Sequence, residues 1–253
     1  MTATTNLAHQ RSNGVAIELV PTAAIAPPTW DEIWDLSRIF YDTERGWVEG
    51  NLKGHQRIIL FRSRSEGELI GMASVDINPA TFRGQRLVSL FTSHVLIREQ
   101  YRGHNLIQRI GFQIFLATRF RYPLHRIYWF FDTFSYKSYL LLSRNFREYW
   151  PRFDRPTPEW EQALMNQLAE QAYGPAWRSA QGIAARSGHK RLRPETAPLE
   201  ETLARDPDIA FYVRANPGHA EGDMLVCLCP MTAANWFNAA VRALKRTALR
   251  AKR

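Results

Sequence analysis

No run in this 253-residue chain approaches eighteen consecutive apolar residues, so no transmembrane helix is expected. The opening stretch, MTATTNLAHQRSNG, lacks the apolar centre of a secretory signal, and residues 1–13 are expected to form a loose N-terminal arm. Cysteine is nearly missing. Cys227 and Cys229 stand alone in LVCLCP, two apart on an expected strand, which places them poorly for a bridge to each other. No other Cys or His pair sits near them at zinc spacing, so the expectation is two reduced thiols in a cytoplasmic protein with no metal site. Acidic residues are absent from Met224 to the end. No histidine is followed by aspartate five positions on, which excludes the His-x4-Asp arrangement of the glycerolipid acyltransferases. There is no internal repeat, and no helix-turn-helix, zinc-finger or RRM signature, so nucleic acid is not an expected partner.

What is present is a chain that can build a large core. It is 45% hydrophobic and 12% aromatic, with a formal net charge of +9. That charge favours anionic partners: nucleotide phosphates, an acidic carrier protein or an anionic membrane surface. GVAIELV reads as a strand. The segment TWDEIWDLSRIFYDTE reads as a helix capped by Thr29, with apolar groups at helical spacing. RIILFRS and ELIGMASVDINP form an expected hairpin across the turn RSEG, and RLVSLFTSHVLI is a third strand ending near Ile97. A helix follows with Leu106, Ile107, Ile110, Gly111, Ile114 and Phe115 on one face, and Pro123 ends it. HRIYWFF is a strand, and Thr133 and Ser135 cap the next helix. The order is strand, helix, three strands, helix, strand, helix: an α/β (α+β) chain with a mixed central sheet flanked by helices.

Beyond Pro151 the texture changes, and residues 152–253 are expected to be a mostly helical C-terminal extension of the domain at 14–151. Thr157 and Pro158 open a helix over EWEQALMNQLAEQAY. RSAQGIAARSGHKRLRPETAP has no apolar period and reads as a linker or loop. Asp206 caps a short helix, and DMLVCLC is a short strand. The last segment is an amphipathic basic helix. Trp236, Phe237, Ala240, Val241, Leu244 and Ala248 fall on one side, with Arg242, Lys245, Arg246 and Arg250 on the other.

Between the strand ending at Ile97 and the helix from Leu106 lies QYRGHN. A helix start reached through a glycine turn presents unpaired backbone N–H groups and partial positive charge, which suits phosphate. QYRGHN resembles the pyrophosphate-binding segment of the GNAT-type (Gcn5-related) N-acyltransferases, Gln/Arg-x-x-Gly-x-Gly/Ala, through Gln100 and Gly103. The element order around it is similar too, over roughly Gly14 to Pro151. Asn105 departs from the family's Gly or Ala, although asparagine tolerates the backbone angles such a turn needs.

The resemblance implies a GNAT-like fold and an acyl donor, either acetyl- or acyl-coenzyme A or an acyl-carrier-protein thioester. It implies a pantetheine arm beside Val95, Leu96 and Ile97, and a pyrophosphate over Arg102, Gly103, His104, Asn105 and Leu106. The acyl carbonyl would then lie near Ser93 and His94. The family's thiol-protonating tyrosine aligns with Leu141, so Tyr136 and Tyr139, about one turn earlier, are the candidate acids. His94 and Glu44, the latter in YDTERGW, are the candidate bases. The expected activity is acyl transfer to an amine acceptor, with the aromatic-rich interior suiting a medium or long acyl chain. Two alternatives stand beside it: a catalytically inactive GNAT-fold ligand sensor and a basic nucleic-acid-binding module. The basic terminal helix would meet an acidic carrier protein or an anionic membrane, giving a cytoplasmic protein, peripheral at the inner face of the membrane in the second case.

Overall fold

The computed structural model describes residues 14–186, 188–198 and 205–250, with side chains to Lys245. The expected N-terminal arm and the side chains of Arg246, Ala248 and Arg250 lie outside the described residues. The chain opens with β1 (Val15–Pro21), α1 (Pro27–Phe40), β2 (Tyr41–Thr43) and α2 (Arg45–Lys53). Then come β3 (Arg57–Ser63), β4 (Leu69–Phe82), β5 (Gln85–Ile97), α3 (Leu106–Arg121), β6 (Arg126–Thr133) and α4 (Tyr136–Ser143). The rest comprises α5 (Glu159–Tyr173), β7 (Trp177–Arg178), β8 (Ile183–Ala184), β9 (Lys190–Leu192), α6 (Pro207–Ala215), β10 (Met224–Pro230) and α7 (Ala233–Arg250).

Eight strands form one mixed sheet in the order β1-β3-β4-β5-β6-β10-β8-β7, and β2 pairs with β9 in a separate ribbon. Among the described residues only the β5–β6 pair is parallel; every other neighbour in this sheet is antiparallel. Alternation along the strands makes two cores. Ile58, Leu60, Val226 and Leu228 face α1, α2 and α5. Ile59, Phe61, Leu225, Cys227 and Cys229 face α3, α4, α6 and α7. Both cysteines are free and buried.

The sheet does not divide at Pro151. β10 pairs with β6 over Leu225↔Thr133 to Pro230↔Tyr128, and Trp150 exchanges two 2.8 Å backbone bonds with Leu228. The chain after residue 152 therefore supplies a central strand as well as helices.

Several local expectations are corrected. α1 begins at Pro27, capped by Ala26 rather than Thr29, because two prolines at its first positions have no N–H to leave unsatisfied. The helix expected over TWDEIWDLSRIFYDTE ends at Phe40, and YDTERGW is β2 and the start of α2. The expected linker holds β7, β8 and β9, strands too short for periodicity to register. α5 starts one residue later than expected, at Glu159. Helix α7 docks through a different face. Asn235 is buried, accepting from Arg147 N and Glu148 N and donating to Glu148 O and Pro230 O, and Arg242 donates to Ser143 O. These polar anchors rotate Phe237 and Leu244 outward, leaving them 73% and 70% exposed. Among the described residues no helix is long and apolar enough to cross a membrane.

Candidate active site

The only parallel pair in the sheet is also where it opens. β5 and β6 pair from Leu87↔Arg126 to Thr92↔Phe131 and then part. Each keeps its other neighbour: β5 stays with β4 as far as Gly71↔Ile97, and β6 stays with β10 as far as Thr133. At the parting point β5 carries a bulge. Register passes from Met72↔Leu96 to Ser74↔Ser93, so His94 and Val95 together oppose Ala73. His94 takes φ +52°, a left-handed conformation costing a non-glycine residue about 1 kcal/mol or more.

This bulge re-aims His94 into a cleft of about 370 Å³. The imidazole is buried, and neither Nδ1 nor Nε2 has a hydrogen-bond partner among the described residues. Burial, followed by the electrostatic effect of Lys190, His55 and Arg186, holds His94 well below the ordinary imidazole range. It is therefore neutral near pH 7, with a lone pair free to accept a proton.

One end of the cleft is the turn between β5 and α3. A short 3-10 turn at Glu99–Tyr101 leads to Arg102, then Gly103 at φ +84° and Asn105 at φ +55°. The N-cap Asn105 is left-handed and its side chain makes no capping bond, so it does not occupy the first N–H groups of α3. Arg102 is fixed by a 3.1 Å bond from Nε to Ile97 O and lies over the Phe40 ring. Val95, Leu96, Ile97, Arg102, Gly103, Asn105 and Leu106 all line the cleft. Gln100 and His104 are exposed and do not line it. Below α3 the wall is apolar: Ile110, Ile114, Phe131, Phe146, Trp236 and Ala239.

The other end draws on distant segments. Asp132, the one acid in β6, accepts from Ser93 Oγ at 3.1 Å and Tyr173 OH at 3.0 Å. Lys190 on β9 is buried, and desolvation lowers its ammonium to about 8, against the raising effect of Asp132. His55 lies 5.9 Å from His94 between ring centroids and donates from Nδ1 to Asp76 at 2.8 Å. Trp47 lies 6.2 Å from the tilted His94 ring and stacks on His189 at 6.4 Å, between ring centroids.

The other expected catalytic residues do not meet this cleft. Glu44 is exposed at the start of α2 and does not line it. Tyr136 and Tyr139 lie on the far face of α4, donating to Pro198 O at 3.1 Å and Pro151 O at 3.0 Å. Tyr139 is enclosed by Tyr149, Phe211 and Tyr212, and burial drives its phenol far above the ordinary range. The cleft face of α4 carries Lys137, Ser138, Leu141 and Asn145 instead. Leu141, aligned with the family's tyrosine, thus does reach the cleft, but without a hydroxyl.

Asp132, Tyr173 and Lys190 are not among the residues to which the sequence pattern points. Asp132 had a visible signal, a lone acid ending an apolar strand. Lys190 had none, since its neighbours in sequence give no apolar period.

No protein-family model and no curated protein matches the chain. Among solved structures the chain is similar to GNAT-type acetyltransferases. With a GNAT family N-acetyltransferase, YhbS from Escherichia coli in complex with CoA, it shares 16% identity at a TM-score of 0.34, covering 49% of this chain and 65% of that one. With an acetyltransferase of Trypanosoma brucei the figures are 17% and 0.38, covering 57% of this chain and 99% of that one. With glucosamine-6-phosphate N-acetyltransferase of Arabidopsis thaliana they are 12% and 0.34, covering 48% and 83%.

Proposed function

We propose that this protein is an acyltransferase that moves an acyl group from a coenzyme A thioester to an amine. One observation carries the reading: a strand pair that parts beside a glycine turn and helix start, with a buried, unpartnered, neutral imidazole in the opening. The N–H groups at the start of α3 and the Arg102 guanidinium suit a pyrophosphate. The parted edges of β5 and β6 leave a slot for an extended pantetheine arm.

In this reading the amine attacks the thioester carbon. An N–C bond forms, the C–S bond breaks, His94 takes the proton from nitrogen, and the thiolate leaves to be protonated. A positioned base contributes typically about 100-fold or more, so alignment in the slot supplies much of the remaining rate. Ser138 is the hydroxyl of α4 that lines the cleft, and it replaces the tyrosines as the nearest candidate for protonating the thiolate.

The apolar hollow under α3 supports a medium-length acyl chain in preference to acetyl. The wall of α7 bears exposed Phe237 and Leu244, with Lys245 beside them and no acid on the helix, which supports an anionic surface as the source of the donor. The test is free-thiol release from acyl-CoA donors of two to twelve carbons, alongside calorimetry with CoA. Binding with turnover peaking at medium length is expected, and Ala239→Trp should shift the optimum to shorter chains. Binding without turnover of any amine would leave the ligand-sensor reading instead, and failure to bind CoA would remove both.

A further inference from the structure

The far end of the cleft holds a lysine that has no evident structural task. Lys190 is only 4% exposed. Its backbone is locked from two sides. β9 pairs with β2, and Thr43 Oγ1 donates to His189 O at 2.9 Å. Gly222, at φ +104°, lies so close that a Cβ there would stand 2.2 Å from Lys190 O. The side chain is directed into an aromatic enclosure, with Nζ 4.7, 4.9 and 5.2 Å from the centroids of Tyr41, Phe134 and Trp47.

Among the described residues Nζ makes no hydrogen bond and no salt bridge. Asp132, the carboxylate that acts on it, has its oxygens engaged by Ser93 and Tyr173 and does not pair with it. Cation–π attraction offsets part of the loss of hydration, but ring faces do not replace the water that an ammonium gives up on burial. Three donors remain unsatisfied and open on the cleft.

The surroundings are basic as well. Arg186 lies over the Tyr173 ring and donates to Asn51 Oδ1 at 3.3 Å, and His189 stacks on Trp47. A simple cationic amine entering here would be opposed by Lys190 and Arg186. An amine that also carries a negative group would be drawn in and would fill the vacant donors.

We infer that Lys190 receives the carboxylate of the acceptor, and that the acceptor is an amino acid whose amine lies toward His94. This rests on the acyltransfer reading above. Lys190 and His94 both border Trp47, so one small zwitterion can reach the ammonium with its carboxylate and the imidazole with its nitrogen. Lys190, Tyr41 and Phe134 line the cleft, so an anion in the cleft can meet the ammonium while the ring faces suit the acceptor's aliphatic part.

The experiment uses the full chain, with CoA present, and the standard amino acids, their amides and 2-aminoethyl phosphate as probes. Thermal shift reads binding, and thiol release from octanoyl-CoA reads turnover. At least one amino acid should raise the melting temperature while its amide does not, with KM for the acid lower by roughly tenfold or more. Lys190→Met should abolish that preference and keep the wild-type affinity for CoA. Equal binding of acids and amides, no shift with any amino acid, or a preference that survives in Lys190→Met would each overturn the inference. So would 2-aminoethyl phosphate as the preferred acceptor, or an acyl adduct on Lys190 found by mass spectrometry after octanoyl-CoA alone. Loss of CoA binding in the wild-type protein, with the acid-over-amide preference intact, would instead remove the acyltransferase reading and leave the carboxylate site standing.

Discussion

At the α3 end, the cleft is walled by one short stretch of chain, Val95 to Leu106, and its polar surface is mostly backbone. At the β9 end, the wall is drawn from Tyr41, His94, Asp132 and Lys190, backed by Trp47 and Tyr173, and its polar groups are buried side chains. The first end needs only a turn that reaches left-handed angles and a helix start. The second must hold charged groups against desolvation. Backbone N–H groups are strong anion ligands that cost little to keep, because every helix exposes them. A buried ammonium or imidazole weakens the fold and persists where a ligand can satisfy it. The two ends should therefore fail differently when changed.

The largest effect is expected at the backbone end. Gly103→Glu places a carboxylate where the phosphates are proposed to lie and puts a side chain at φ +84°. CoA affinity should fall on the order of 100-fold or more, by calorimetry at several ionic strengths. Unchanged affinity would mean that the turn is not the anion site. Next comes His94→Ala, which should lower kcat roughly 100-fold and leave CoA affinity near wild type. Because His94 is held well below 6.5, the acid limb of kcat/KM should lie below the ordinary imidazole range. A limb at or above that range would assign the base to another group.

The third change should make the protein more stable. Lys190 falls from 10.5 to about 8 in the folded chain, worth about 3 kcal/mol against folding near neutrality. The unfolded chain keeps the proton to higher pH, so wild-type stability should rise between about pH 8 and 10.5. Lys190→Met should be more stable at pH 7 and lack that rise, as denaturant titration across the range would show. A destabilised variant with the rise intact would contradict an unpartnered ammonium. The smallest effect belongs to the outer wall behind the α3 end: Phe237→Ser should change stability by less than about 0.5 kcal/mol. Had α7 docked on the side that its spacing suggests, the cost would be near that of a core aromatic, about 3 kcal/mol or more.

Legibility in the sequence follows the same division. β3, β4, β5, α3 and β6 are long, periodic and bounded by turn residues, so local pattern specifies them, and with them the Gly103 turn. β7, β8 and β9 have two or three residues each, too few to show alternation, and their pairing is decided by what lies beside them in space. Lys190 accordingly reads as part of a basic loop. Tyr136 and Tyr139 sit on α4, but off the face that carries Leu141 and Ser138 to the cleft, and both hydroxyls reach backbone carbonyls on its far side. Hydrophobic spacing points to another face of α7 because it does not register two asparagines and an arginine that bind backbone carbonyls.

The position of β10 bears on how the chain is made. It lies between β6 and β8 in the sheet, yet among the described strands it is the last to leave the ribosome. Until residue 230 emerges, β6 has no partner on that edge, and its run of aromatic side chains remains open to other chains. Synthesis of everything up to Pro230 thus precedes closure of the sheet beside β6. Slow translation or early termination anywhere between Pro151 and Met224 would leave a sticky half-sheet for chaperones to shield.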